Sequence, residues 1–184
     1  MATGNRSVLV IIDSRRTAAR QTADLAVFAA LDHMGAAWQT LDAADYWTVP
    51  AASVRERAAY ILAHDGAGGG MRPEHAALVA AAVAAGAGLI SLDRDLDAWP
   101  AALQVLRPST RGTVSITGVA FPSQGHFITT GHRQGAGVML RGSTSSWRFR
   151  DGDGVEALAC RDACEPVLVA GRPGAGRSVL CGMG

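Results

Sequence analysis

The chain has 184 residues, of which 48% are hydrophobic and 18% charged, and its formal net charge is +1. That length suits one well-buried domain rather than two, and so small a net charge sets up no bulk field toward nucleic acid or a membrane surface. Aromatic residues make up 5% of the chain, which argues against a platform for stacking bases or sugars.

In chain order, Ser7-Val8-Leu9-Val10-Ile11-Ile12 is a continuous apolar run, the mark of a strand covered on both faces. The run is too short for the core of a signal peptide, and the expected location is cytoplasmic. From Thr17 the apolar residues Leu25, Phe28, Leu31 and Ala36 recur at helical spacing, with Gly35 placed to close the helix. Trp38 to Leu41 reads as a second strand, and Ser53 with Glu56 has the form of a capping box opening a short helix. Tyr60 to Ala63 is a third strand. Pro73 then opens a helix that Gly86 closes, and Leu89 to Leu92 is a fourth strand. The apolar stretch from Ala76 to Leu92 therefore reads as helix, turn and strand, not as a membrane span.

Strand and helix alternating in this way predict an α/β fold with a parallel sheet and right-handed crossovers. Beyond Gly112 the pattern changes. Thr113 to Gly118, Gly137 to Leu140, Trp147 to Arg150 and Val155 to Cys160 read as strands, with Asp151-Gly152-Asp153-Gly154 as a turn. The expected fold is a flavodoxin-like three-layer sandwich with a mainly parallel sheet and antiparallel C-terminal strands, all in a single domain over 1–184.

The chain closes on "GRPGAGRS", Gly171 to Ser178, which has the glycine spacing of a phosphate-binding loop. Such a loop needs a helix after its last residue and a lysine to reach the phosphates. Here the β-rich Val179-Leu180-Cys181 follows, and Arg177 stands at the lysine position, a change that is not conservative. The expectation is a hairpin pairing Pro166 to Ala170 with Ser178 to Gly182.

Ligands of open α/β sheets bind at the carboxyl ends of the strands. Three segments fall there: Asp13-Ser14-Arg15-Arg16, His64-Asp65-Gly66-Ala67-Gly68-Gly69-Gly70-Met71 and Asp93-Arg94-Asp95. The middle one is either a flexible turn or a place where backbone approaches a ligand closely. The candidate binding residues are Asp13, Arg15, Asp65, Gly66, Gly68, Gly69, Gly70 and Arg94. Asp93 is a candidate carboxylate base, with His64 or His126 as its partner. Each has a plainer reading: Asp93 as a cap, His126 bonded to backbone, the arginines solvated. The loop and Asp93 are expected to line one cleft, with the glycines leaving open space above the strands.

Three stretches carry a resemblance to a known family. "AHDGAGGGMRPEHAALVAAAVAAGAGLISL", "GHFITTGH" and "PVLVAGRPGAGRSVLCGMG" together resemble the class I glutamine amidotransferase-like domains, and especially their ThuA-like and carbohydrate-associated branches. The resemblance implies a nucleophilic Cys at the elbow after the fourth strand, with a His–Glu pair near the C-terminus. Asp93 stands at the elbow, no His follows His132, and Cys160, Cys164 and Cys181 all lie on the tail. Glutamine hydrolysis is therefore not expected, because that chemistry needs a thiolate with an adjacent base. The odd count of cysteines without a C-x-x-C pair favours free thiols, with Cys160 and Cys164 facing each other across a turn as the alternative.

Two functions follow as expectations. One is a degenerate, non-catalytic module that binds a ligand or packs on a neighbouring domain. The other is a small ThuA-like enzyme acting on a sugar or polyol through Asp93 and nearby His residues. The expected partners are a small-molecule or sugar ligand, a downstream domain of the same chain for which this would be the N-terminal part, and further copies in a homo-oligomer. No nucleic acid, membrane, cofactor or metal is expected.

Overall fold

The computed structural model describes residues 7–45, 50–122, 126–129, 131–150, 152, 154–162 and 165–183. Its centre is strand β1, Val8–Ile12, flanked by β2, Trp38–Asp42, and β3, Ala59–Leu62, both parallel to it. Alternate residues of β1 enter two separate cores. Val10 and Ile12 pack with Ala23, Val27 and Leu31, whereas Leu9 and Ile11 pack with Val79, Val83 and Leu103. Burial on both faces is why this strand has no polar position.

Helix α1, Thr17–Ala23, passes through a π-turn at Asp24–Phe28 into α2, Ala29–His33. The wider turn delays the helical face by a fraction of a residue, so the buried positions are Ala23, Val27 and Leu31 while Leu25 is 82% exposed. Leu25 is thus not a core residue as its spacing predicts. Phe28 instead stacks on Trp38 with ring centroids 4.6 Å apart, and Gly35 at φ +64 closes the helix.

No capping box forms. Helix α3 is Ala51–Val54, with Ser53 inside it and Glu56 in a left-handed conformation beyond its end. The turn is held by Arg57, which is 8% exposed and donates to Ser53 O, Ser7 Oγ and Gln39 Oε1. Helix α4, Pro73–Ala84, starts at its proline and buries Ala76, Val79, Ala80 and Val83. It leads to β4, Gly88–Ser91, parallel to β3, and then to the short helix α5, Ala101–Gln104.

The remaining strands are β5, Thr110–Ala120, β6, Gly137–Phe149, β7, Glu156–Arg161, β8, Glu165–Gly171, and β9, Arg177–Cys181. The two expected strands at Gly137 to Leu140 and Trp147 to Arg150 are one strand, because the Gly-Ser-Thr-Ser-Ser segment between them stays paired with β5. Of the expected turn at 151–154, residues 151 and 153 lie outside the described residues, and Gly152 bridges Val155. Cys164 also lies outside them.

The nine strands among the described residues form one mixed sheet in the order β2-β1-β3-β4-β9-β8-β7-β5-β6. The closing hairpin forms as expected, with Val169 opposite Leu180 and Ala170 opposite Val179. Its place is the correction to an antiparallel tail. The last strand, β9, inserts beside β4 and runs parallel to it, so parallel and antiparallel ladders meet at β9.

What seats the hairpin is close packing at its glycines. A Cβ on Gly176 would lie 2.0 Å from Val83 O and 2.6 Å from Ala87 O, and Ala175 N–H donates to Ala84 O at 2.9 Å. The glycine-rich turn therefore caps the end of α4. Gly176→Ala is expected to lower unfolding stability by about 2 kcal/mol, because the obstructing atoms are backbone and cannot swing away. Gly131→Ala, with nothing near its Cβ, is expected to stay within about 0.5 kcal/mol. Urea titration of the two variants measures both, and equal midpoints would refute the packing.

Candidate functional site

Loops leaving β1, β3 and β4 meet at one edge of the sheet, and their polar groups spend most of their bonding on each other. Asp93 follows β4 and is wholly buried. Its Oδ1 accepts from the N–H groups of Gly66 and Asp95 at 2.7 and 2.8 Å, and its Oδ2 from Gly68 N–H and Trp99 Nε1 at 2.7 and 3.0 Å. Two donors on each oxygen leave little capacity for a ligand or a substrate proton. Burial pushes the Asp93 carboxyl above its usual range, and the hydrogen bonds from Gly66, Asp95, Gly68 and Trp99 only partly offset it.

His64 is equally committed. Its Nε2 accepts from Asp13 N–H at 2.9 Å, so Nδ1 carries the proton that goes to Asp65 O at 3.0 Å. The ring is 3% exposed and ties the end of β1 to the end of β3. Asp13 in turn takes both Nε and Nη2 of Arg15, at 2.7 and 2.8 Å. Burial alone would raise the Asp13 carboxyl, but its bonds to Arg15 prevail and hold it below the usual range.

The glycine loop meets Asp93 at the same edge, but the expected open space above it is filled. A Cβ on Gly68 would sit 2.7 Å from Trp99 Nε1, one on Gly69 3.0 Å from Ala98 Cβ, and one on Gly70 2.6 Å from Asp13 Oδ2. At Gly66, with φ +79, the guanidinium of Arg16 occupies the side-chain position. Trp99, 3% exposed, closes the space above Gly68. The glycines serve a tight fit between backbone and these side chains.

Open space lies one step further along the edge, in a cavity of about 380 Å³. Arg16, Asp65, Arg94 and Asp95 form one side of it. Thr113, Ser145, Ser146, Trp147 and Gly182 form the other. Asp65 holds Arg94 through the backbone N–H at 3.0 Å and Nε at 2.8 Å, with Nη2 also in contact. Burial would raise the Asp65 carboxyl, but the Arg94 bonds outweigh it and hold it low. Arg16 and Asp95 pair more loosely, at 3.6 Å with both side chains nearly half exposed. Trp147 Nε1 donates to Arg94 O at 2.6 Å and its N–H to Gly182 O at 3.0 Å, which fixes the indole as a wall.

Of the eleven candidates read from the sequence, Asp65 and Arg94 line this cavity, while Asp13, His64 and Asp93 are sealed behind it. His126 is elsewhere. It lines a second cavity that touches Ala59 and Gly88, the opposite ends of β3 and β4, so Asp93, His64 and His126 do not converge. The cavity wall from β5 and β6 was not legible, since its Thr and Ser residues carry no spacing signal. One cysteine also reaches this edge, contrary to expectation: Cys181 ends β9, beside the end of β4. Burial pushes its thiol up and its Sγ lies 3.6 Å from Met183 O, so it is not set up as a thiolate nucleophile. Among the described residues no group of three His, Cys, Asp or Glu side chains is placed to hold a metal, and no helix is long and apolar enough to cross a membrane.

No protein-family model and no curated protein matches the chain. Solved structures do match it. A ThuA-like protein from Bacteroides uniformis superposes with a TM-score of 0.70 at 10% identity, over 100% of this chain and 85% of that one. A cytoplasmic protein from Salmonella typhimurium LT2 gives 0.62 at 15% identity, over 86% of this chain and 74% of that one. A cold-adapted β-galactosidase from Rahnella sp. R3 gives 0.60 at 15% identity, where this chain spans 98% of its own length but 29% of the enzyme. The chain shares the α/β fold of these proteins.

Asp93→Asn turns one acceptor oxygen into an NH₂ facing two buried donors, and is expected to cost about 3 kcal/mol of stability in urea titration. A variant of unchanged stability would show that Asp93 is not the tie described. The pH response follows from Asp13 and Asp65, whose folded values lie below the ordinary 3.8. The unfolded chain then binds the extra protons, so their contribution is present above 3.8 and lost as pH falls through the folded values. Melting temperature is expected to fall over that range, and less steeply in Asp65→Asn.

Proposed function

We propose that the chain is a degenerate, non-catalytic domain of the class I glutamine amidotransferase-like superfamily, built as a flavodoxin-like three-layer sandwich, which binds a small polyhydroxylated ligand in the carboxyl-edge cavity. The observation that carries the non-catalytic reading is the saturation of Asp93: the residue at the elbow position has all its acceptor capacity taken by Gly66, Gly68, Asp95 and Trp99. A group so used holds loops together and cannot also relay a proton without breaking them.

The ligand class rests on the cavity lining. Two guanidiniums and two carboxylates balance in charge, hydroxyls of Thr113 and Ser145 supply further donors and acceptors, and Trp147 offers an apolar plane. A neutral ligand with many hydroxyls matches that mixture. Kinship in fold with a β-galactosidase is in keeping with a carbohydrate-related role, either in a cytoplasmic protein or as one module of a longer chain. The alternative, a ThuA-like enzyme working on a sugar or polyol through Asp93 and His residues, asks for three groups in one cleft, and His126 lines another cavity.

Saturation-transfer NMR against a panel of mono- and disaccharides tests the ligand. Binding is expected for at least one sugar and is expected to be lost in Trp147→Ala. No binding by any member, or binding indifferent to Trp147, would sink the reading. Purified protein is also expected to release no ammonia from glutamine. Release that disappears in Cys181→Ser would overturn the non-catalytic assignment.

A further inference from the structure

One row of residues crosses the sheet on a single face. Val10 is in register with Ile61, Ile61 with Ile90, Ile90 with Val179, Val179 with Ala170, and Ala170 with Glu156. Its first two members are buried under α1 and α2. From Ile90 onward no helix among the described residues covers the row, because the segment after β4 packs Leu96, Trp99 and Leu103 on the other face, beside α4. Ile90 is 39% exposed, and Val179 and Ala170 are half-buried.

This bare face is not flat. The turn carrying His126 and Ile128 overhangs it, leaving a cavity of about 580 Å³ with Ile90, Val179 and Ala170 as floor. Arg172 and Arg177 stand at its rim. Both come from the Gly171 to Ser178 segment, and each directly follows or precedes the Gly171–Ser178 pair, so they face each other across the neck of the hairpin. Neither forms an ion pair among the described residues. Like charges opposite each other on paired strands repel, and an anion between them removes the cost. Among the described residues Glu156, in register with Ala170, is the carboxylate on the cavity's lining.

We propose that this cavity is a second binding site, which takes an organic carboxylate with an apolar body: the body on Ile90 and Val179 under Ile128, the carboxylate between Arg172 and Arg177. The segment that resembles a phosphate loop thus binds an anion through side chains at its flanks, while its glycines are used up against α4. The site is separate from the carboxyl-edge cavity and does not rest on the function proposed for that edge.

Calorimetric titration with phenylbutyrate tests this, with phenylbutyramide as the uncharged twin. The acid is expected to bind at one site per chain, and the amide at least about tenfold more weakly, as loss of charge-assisted bonds to arginine implies. Arg172→Ala/Arg177→Ala is expected to weaken the acid by a similar factor and leave the amide unchanged. Glu156→Gln, which removes the carboxylate on the lining, is expected to tighten the acid, and Trp147→Ala to leave it unaltered. Equal affinity for acid and amide, no binding at millimolar acid, or indifference to the arginines would overturn the proposal. So would a dimer abolished by Ile90→Glu and undisturbed by phenylbutyrate, since a second copy would then be the occupant of this face.

Discussion

The Asp93 carboxylate is the tie on which the carboxyl edge depends. It gathers N–H groups from the loop after β3, from its own loop, and from Trp99 at the approach to α5. Buried backbone donors must find acceptors, and a loop rich in glycine has no side chains of its own to offer. A single anion placed at the strand end satisfies three of them, and an indole N–H, at once. Burial works against the charge, and the donors recover part of that cost, a balance that holds only while every one of them stays in place. The same logic recurs one layer out, where Asp13 holds Arg15 and Asp65 holds Arg94. Asp65–Arg94 and Arg16–Asp95 cross from one loop to another while Asp13–Arg15 lies within one, and the cavity is lined by both crossing pairs.

Glycine marks both regions a motif search would single out, and in both its use is closeness of packing. At Gly68 and Gly70 the missing Cβ makes room for Trp99 and Asp13. At Gly174 and Gly176 it makes room for the carbonyls that end α4. The second contact explains the insertion of β9 between β4 and β8. A hairpin whose turn caps a helix is held at the amino edge of the sheet, and its final strand lies where a parallel neighbour of β4 is needed. Chain order and sheet order part company at that point, and the last strand carries Cys181 and Gly182 to the edge where the site lies.

Helix placement gives the two faces different fates. Both α4 and the segment through α5 pack on one face, so β1 and β3 are covered on both sides while β4, β9 and β8 are covered on one. A parallel sheet is ordinarily buried on both faces. The uncovered stretch therefore asks for something to lie on it, and the overhanging turn at His126 and Ile128 partly answers.

Strand and helix order through β4, the α/β class and the closing hairpin were determined by local sequence, because apolar runs, a proline start and glycine stops act over a few residues. The meeting of the glycine loop with Asp93 was also legible, since right-handed crossovers bring successive loops to one edge. What only tertiary structure decided is whether those groups face ligand or each other. Trp99 lies six residues from Asp93 and nothing in its spacing announces that its indole N–H would close the space. Leu25 reads as core until the π-turn rotates it out. The arrival of Cys181 follows from the long-range pairing of β9 with β4, and the cavity walls from β5 and β6 from the further pairings that carry those strands into the sheet. Such pairing is set by shape and packing between segments far apart in the chain, and no short-range pattern encodes it.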